Sequence, residues 1–151
     1  MPIKKPTLDQ LSTLIKDLDA WLKKRKGDSR SLLTELRDNL VHLDMALNYS
    51  VDLGSSLSDV STAEYERLSS EGFNFNIIKR GKIRKRKDLE GTNLGFLVGK
   101  STSELIESIY DKINELKIMY PKLRNSPKFR PTVRARNISE RIIFLFSHVR
   151  K

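Results

Sequence analysis

Four long stretches of this chain repeat apolar residues in alternating steps of three and four. That spacing puts each set on one face of an α-helix and admits little besides a helical bundle. The first stretch runs from Thr7 to about Lys26, with Leu8, Leu11, Ile15, Leu18 and Leu22 in line. Thr7 and Gln10 form a candidate capping box behind Pro6, and Gly27 can end the helix. The second runs from near Asp28 to about Asp52, with Leu33, Leu36, Leu40, Leu43 and Leu47 as its stripe and Gly54 as a stop. The tight break at Gly27 predicts that these two helices are antiparallel neighbours. A third stripe, Ile106, Ile109, Ile113, Leu116 and Tyr120, follows a candidate Ser101–Glu104 capping box and is expected to end at Pro121. The fourth covers about Val133 to Val149, with Ile138, Ile142, Leu145 and Val149.

Between the second and third stripes the pattern changes. A serine-rich connection leads to a short helix over about Thr62–Ser70. From Gly72 to Gly99 the helical period is lost. FNFNII alternates apolar residues with asparagine, which is strand period, KRGK can turn and IRKRKD can return. The expectation is a basic hairpin or ordered loop inserted over residues 72–99, with a disordered basic loop as the competitor. Residues 1–151 are expected to form one all-α domain: a bundle of four main helices with this basic insertion.

Composition narrows the function classes. The chain has no cysteine, which removes disulfides, thiolate metal sites and cysteine nucleophiles. No apolar run is long enough for a membrane span, and MPIKKPTLDQ lacks the apolar core of a signal peptide, so a cytoplasmic protein is expected. The net charge of +10 is unevenly placed: residues 1–72 hold 10 Lys/Arg and 12 Asp/Glu, residues 73–151 hold 19 and 7. The whole positive excess lies in the second half, which points to a polyanionic partner.

Among candidate sites, GFLVGKS at 95–101 has three residues between its glycines where a phosphate-binding loop needs four, so it is better taken as the approach to a helix at Ser101. The two histidines, His42 and His148, are far apart in sequence, and no metal or cofactor is called for. The run KRGKIRKRK is the densest charge in the chain: Lys79, Arg80, Lys82, Arg84, Lys85, Arg86 and Lys87. Such cations can hold phosphates without choosing sequence. Phe73 and Phe75, just upstream, can stack on bases or pack into the bundle, and packing is the commoner fate of apolar aromatics.

The remaining candidate is RDNLVH, residues 37–42, inside the second helix. At about 100° per residue Asp38, His42, Met45 and Tyr49 fall opposite the leucine stripe. Asp38 and His42 are an (i, i+4) pair, so the carboxylate can hold one imidazole nitrogen and leave the other free. Arg37 lies on the flank. A helix with a partly apolar outer face either sits inside the bundle or supplies a second interface. The stretch resembles the R-x4–6-H motif of the HEPN superfamily of all-α ribonuclease-like domains, in which an Asn, Asp or His often follows the arginine, as Asp38 does here. The resemblance implies a homodimer that brings paired motifs together, metal-independent cleavage of RNA, and a setting such as toxin–antitoxin or phage defence. On that basis His42 would be general acid or base, Arg37 would stabilise the phosphorane charge and Asp38 would orient the site. Products would carry a 2′,3′-cyclic phosphate and a 5′-hydroxyl. Arg141 and His148 also satisfy the spacing, but isoleucine follows Arg141. The motif sits early in the chain, and Asp44 stands where some members have tyrosine. Two other classes remain open: a non-enzymatic helical nucleic-acid-binding or adaptor protein working through residues 79–87, and a binder of an acidic protein.

Overall fold

A computed structural model describes residues 8–85, 87–89, 92 and 94–150, and these form six α-helices without a β-strand. In chain order they are α1 (Leu8–Leu22), α2 (Gly27–Asn48), α3 (Leu53–Asp59), α4 (Ala63–Ser70), α5 (Thr102–Leu123) and α6 (Pro131–Val149). The centre is α2, α5 and α6; α1, α3 and α4 pack around α2, and α3 also reaches α5. The stripes are where the core is. Leu33, Leu36, Leu40 and Leu43 of α2, Ile106, Ile109, Ile113 and Leu116 of α5, and Ile138, Ile142, Leu145 and Val149 of α6 are all buried. Each such side chain contributes about 1.5–3 kcal/mol when taken from water. Trp21 of α1 meets Phe146 of α6 edge-on, with centroids 6.3 Å apart, which ties the first helix to the last.

The ends of the helices differ from expectation in instructive ways. Thr7 of the N-terminal capping box lies outside the described residues. The Ser101–Glu104 box is formed, each partner accepting the other's backbone N–H at 3.2 Å. Pro121 does not stop α5; it sits in the last turn, where it forfeits one backbone bond, and the helix runs on to Leu123. Gly54 does not end α2, which stops at Asn48 with Tyr49 as its C-cap. It lies inside α3, close against Tyr120, after Asp52 has capped the new helix by accepting from the Ser55 N–H at 3.0 Å.

The sharpest local feature is how α4 begins. Glu35 of α2 is buried, and its carboxylate accepts from the backbone N–H groups of Glu64 and Tyr65 at 2.8 and 3.3 Å. It also accepts from the Ser61 hydroxyl at 3.0 Å and the Tyr110 hydroxyl at 2.8 Å. One turn on, Asn39 bonds the backbone of Ser61 in both directions, at 2.8 and 2.9 Å. A side chain on another helix thus does the work of an N-cap. Burial, and secondly the Glu35 charge, push the Tyr110 hydroxyl well above its ordinary pKa, so it stays a donor.

Among its described residues the segment 72–99 is an ordered loop, not a hairpin. FNFNII forms a one-turn 3-10 helix at Phe75–Ile77 because the Asn74 side chain accepts from the Asn76 N–H at 3.0 Å and bends the chain. The phenylalanines pack inward: Phe75 is buried, stacks on Tyr65 at 5.4 Å and meets Phe73 edge-on at 5.2 Å. Tyr65 in turn stacks on Tyr110 at 4.2 Å. Ile78, Ile83, Leu89, Leu94 and Leu97 are buried as well, so apolar anchors recur along the most basic part of the chain. Ile83 is fixed by backbone bonds to Lys100 and Gly99, both 2.9 Å, and Lys82 bridges to Ser101.

Candidate functional site

The outer face of α2 carries Arg37, Asp38 and His42, with Met45 and Tyr49 exposed beyond them. Their side chains are divided between two neighbourhoods. The Arg37 guanidinium turns toward α1 and pairs with Asp19 at 2.7 Å; Asp38 closes on it at 3.0 Å. Arg37 Nε is buried without a hydrogen-bond partner. Asp38 therefore serves Arg37, and the expected Asp38–His42 hydrogen bond is not formed. His42 is half-buried and lines an open cleft of about 440 Å³ between α2 and the α3–α4 corner. Arg37 is not in that lining. The carboxylates of Glu35, Asp38, Asp59 and Glu64 are, against the single guanidinium of Arg30. A side-chain hydrogen bond from Arg67 holds the Glu64 carboxyl below the ordinary carboxylate range, which keeps it ionised. This cleft repels phosphate as it stands.

The second site lies where the basic loop crosses α6. Lys79, Arg80, Lys82, Arg84 and Lys85 line one open cleft of about 580 Å³, closed on the other side by Phe144 and His148 of α6. No carboxylate belongs to this lining among the described residues. Lys87 is exposed in the 3-10 turn Lys87–Leu89 and stands outside the lining, and Arg86 lies outside the described residues. The cations are held in place from beneath. The Thr102 hydroxyl donates to the Lys79 carbonyl at 2.8 Å and meets His148 Nε2 at 2.9 Å. A hydroxyl has one proton, and here it goes to the carbonyl, so His148 Nε2 carries the hydrogen and donates. Lys79, Thr102 and His148 form one chain from loop to α5 to α6.

The basic run was visible in the sequence; its support was not. Thr102, fully buried, looks like any first-turn threonine after a cap, and His148 is set aside in sequence as half of a chance match with Arg141. Only the crossing of α6 under the loop gives either residue a role. Among the described residues, no group of three or more His, Asp or Glu side chains is arranged to hold a metal ion, and no helix is long and apolar enough to cross a membrane. The fold and the cleft define the molecule's class as an all-α bundle with a basic cleft. No protein-family model, curated protein or solved structure matches the chain.

Proposed function

We propose that this protein binds nucleic acid through the cleft of Lys79, Arg80, Lys82, Arg84 and Lys85. The observation that carries the reading is the presence of five cations on one open cleft with no carboxylate among its described lining residues. Such a surface holds a sugar–phosphate chain by charge and by release of counterions. RNA is favoured over DNA by the resemblance of Arg37 to His42 to an RNA-directed family. The test is binding of a labelled single-stranded 20-mer, RNA and DNA in parallel, across a salt series. Five phosphate contacts predict a slope of about −3.5 in log K against log salt, and Lys82→Ala, Arg84→Ala and Lys85→Ala together remove about 2 from it. No binding at about 0.15 M salt, or an unchanged slope in the triple variant, removes the proposal.

A second reading makes the protein a HEPN-like, metal-independent endoribonuclease, working as a homodimer, with Arg37, Asp38 and His42 as its site. It is supported by the R-D-x3-H spacing on one helix of an all-α fold and by the opening of His42 to solvent. It requires Arg37 to exchange Asp19 for a phosphate oxygen. Cleavage of labelled RNA in EDTA, lost in His42→Ala with the helical signal intact, is its expected signature. RNA left whole by the native protein removes it and leaves the binding reading standing.

A further inference from the structure

A third charged concavity lies at the opposite end of α6 from His148. Arg130, Val133, Arg134, Ile138 and Arg141 line a pocket of about 290 Å³ along the first turns of this helix, with Lys128 at its edge. It shares no lining residue with the cleft of Lys79–Lys85. Three observations set it apart from an ordinary basic surface.

The first is Arg141. The residue is 8% exposed, and its Nε is buried with no hydrogen-bond partner. Its guanidinium lies over the Phe96 ring at 5.4 Å and joins no ion pair among the described residues. Burial holds its pKa below the ordinary guanidinium value, only partly offset by the charge of neighbouring Glu140. A buried cation without a counter-ion is unfavourable unless something negative is brought to it. The second is Arg134, which is fixed as a wall of the pocket. Its Nε donates to the Phe129 carbonyl at 2.9 Å, its Nη1 pairs with Glu115 at 2.8 Å, and its plane covers the Phe129 ring at 5.0 Å. Glu115 is the one carboxylate in the lining, and Arg134 already occupies it. The third is the start of α6. Arg130 takes the N-cap position with a left-handed φ of 51°, and it gives no side-chain cap; Pro131 follows without an N–H. Natural N-caps are short polar acceptors, and a strained arginine there leaves the first-turn donors open while setting a charge beside them.

We propose that this pocket is a binding site for a small phosphate monoester, with Arg141 as the inner anion partner and Arg130 and Lys128 at the mouth. The planar guanidinium fork matches phosphate oxygens, and the helix N-terminus adds donors and dipole at the outer end. The volume sits at the lower limit of small-ligand pockets, which fits a compact ester rather than a groove for a long strand. The buried Leu116 and Ile138, with the exposed Val133 beside them, suit the organic part of such an ester.

The test is calorimetric titration of the whole chain with inorganic phosphate and with adenosine 5′-monophosphate, at constant ionic strength against chloride. Native protein is expected to bind both. Arg141→Met is expected to weaken binding about 10- to 100-fold, the loss of a charge-assisted bond. It is also expected to melt no lower than native, because an apolar side chain replaces a charge that no described residue pairs. A merely structural arginine would lower the melting temperature instead. Arg130→Gly suits the left-handed backbone and removes a charge, so it is expected to weaken binding about 3-fold without loss of stability. Should Arg141→Met not fold, Arg141→Lys and Arg130→Gly carry the test. Phosphate no better than chloride for the native chain, or native affinity in all variants, overturns the proposal. The source is separated by comparing 5′-phosphorylated and 5′-hydroxyl RNA octamers on protein whose Lys82, Arg84 and Lys85 are changed to Glu. A preference for the phosphorylated strand assigns the pocket to strand ends; equal binding assigns it to free esters. Because those changes disable the other cleft, failure here and failure of the nucleic-acid reading give separate results.

Discussion

His42 and His148 each stand half-buried at the wall of an open cleft, and the two clefts have opposite character. Around His42 four carboxylates face one arginine, and the arginine next to it in the motif is turned to Asp19. Around His148 five cations face no carboxylate among the described residues, and the imidazole is committed to Thr102. The residue spacing that suggests chemistry and the charge that suggests a polyanion are therefore on different surfaces. A sequence motif fixes which side chains share a helix turn; it does not fix which of them a neighbouring helix will claim. In α2 that claim is made by Asp19 on α1.

This contrast can be broken most strongly in the basic cleft. Changing Lys82, Arg84 and Lys85 together to Glu should lower affinity for a single-stranded 20-mer by about 100-fold or more at low salt, measured by fluorescence anisotropy. Ile83 between them stays in place, so the melting temperature should hold. The next largest effect concerns what fixes the shape of the acidic cleft. Glu35→Ala strands two backbone N–H groups and two hydroxyls, and should destabilise the protein by about 3–4 kcal/mol in urea unfolding. It should leave polyanion binding at low temperature nearly unchanged.

Smaller effects sharpen the comparison. Since the Tyr110 pKa is raised in the folded state, the unfolded chain gives up that proton first, from its ordinary value near 10. Its contribution is complete below pH 10 and is lost as pH rises above it, by about 1.4 kcal/mol per pH unit. Tyr110→Phe should therefore show a shallower loss of stability above pH 10 than native protein. Least of all, Asp19→Asn should cost about 0.5 kcal/mol, because the Arg37 pair is only partly buried. If it also brings RNA cleavage or tighter RNA binding, the charge on Arg37 was being withheld by Asp19, and the division between the two clefts is less complete than described.

The helices were legible because their stripes are local and regular; Leu33 to Leu43 and Ile138 to Val149 needed no partner to be recognised. Hidden features depended on partners distant in sequence. The helix α3 was concealed in LGSSLSD, whose serines suggest a loop, although Asp52 three residues before Ser55 is a capping signal. FNFNII carried strand period and became a turn, because Asn74 accepts from the Asn76 N–H and Phe75 found an aromatic partner in Tyr65 of α4, with Phe73 edge-on against Phe75. The seven cations of residues 79–87 were plain in composition, but the cleft that five of them line exists only because α6 passes beneath it. Arg141 was noticed for its distance from His148, when its isolation under Phe96 is the more telling property.

The Glu35 carboxylate also bears on the order in which the molecule assembles. An eight-residue helix such as α4 is too short to persist alone in water. Its starting amides wait for an acceptor delivered by a segment roughly thirty residues upstream. A peptide spanning residues 62–71 should consequently be unstructured, and deuterium should enter the amides of Glu64 and Tyr65 only through openings that also release α2. In kinetic terms α4 is a late passenger on a scaffold made by the longer helices, and the acidic cleft beside His42 comes into being only once it has boarded.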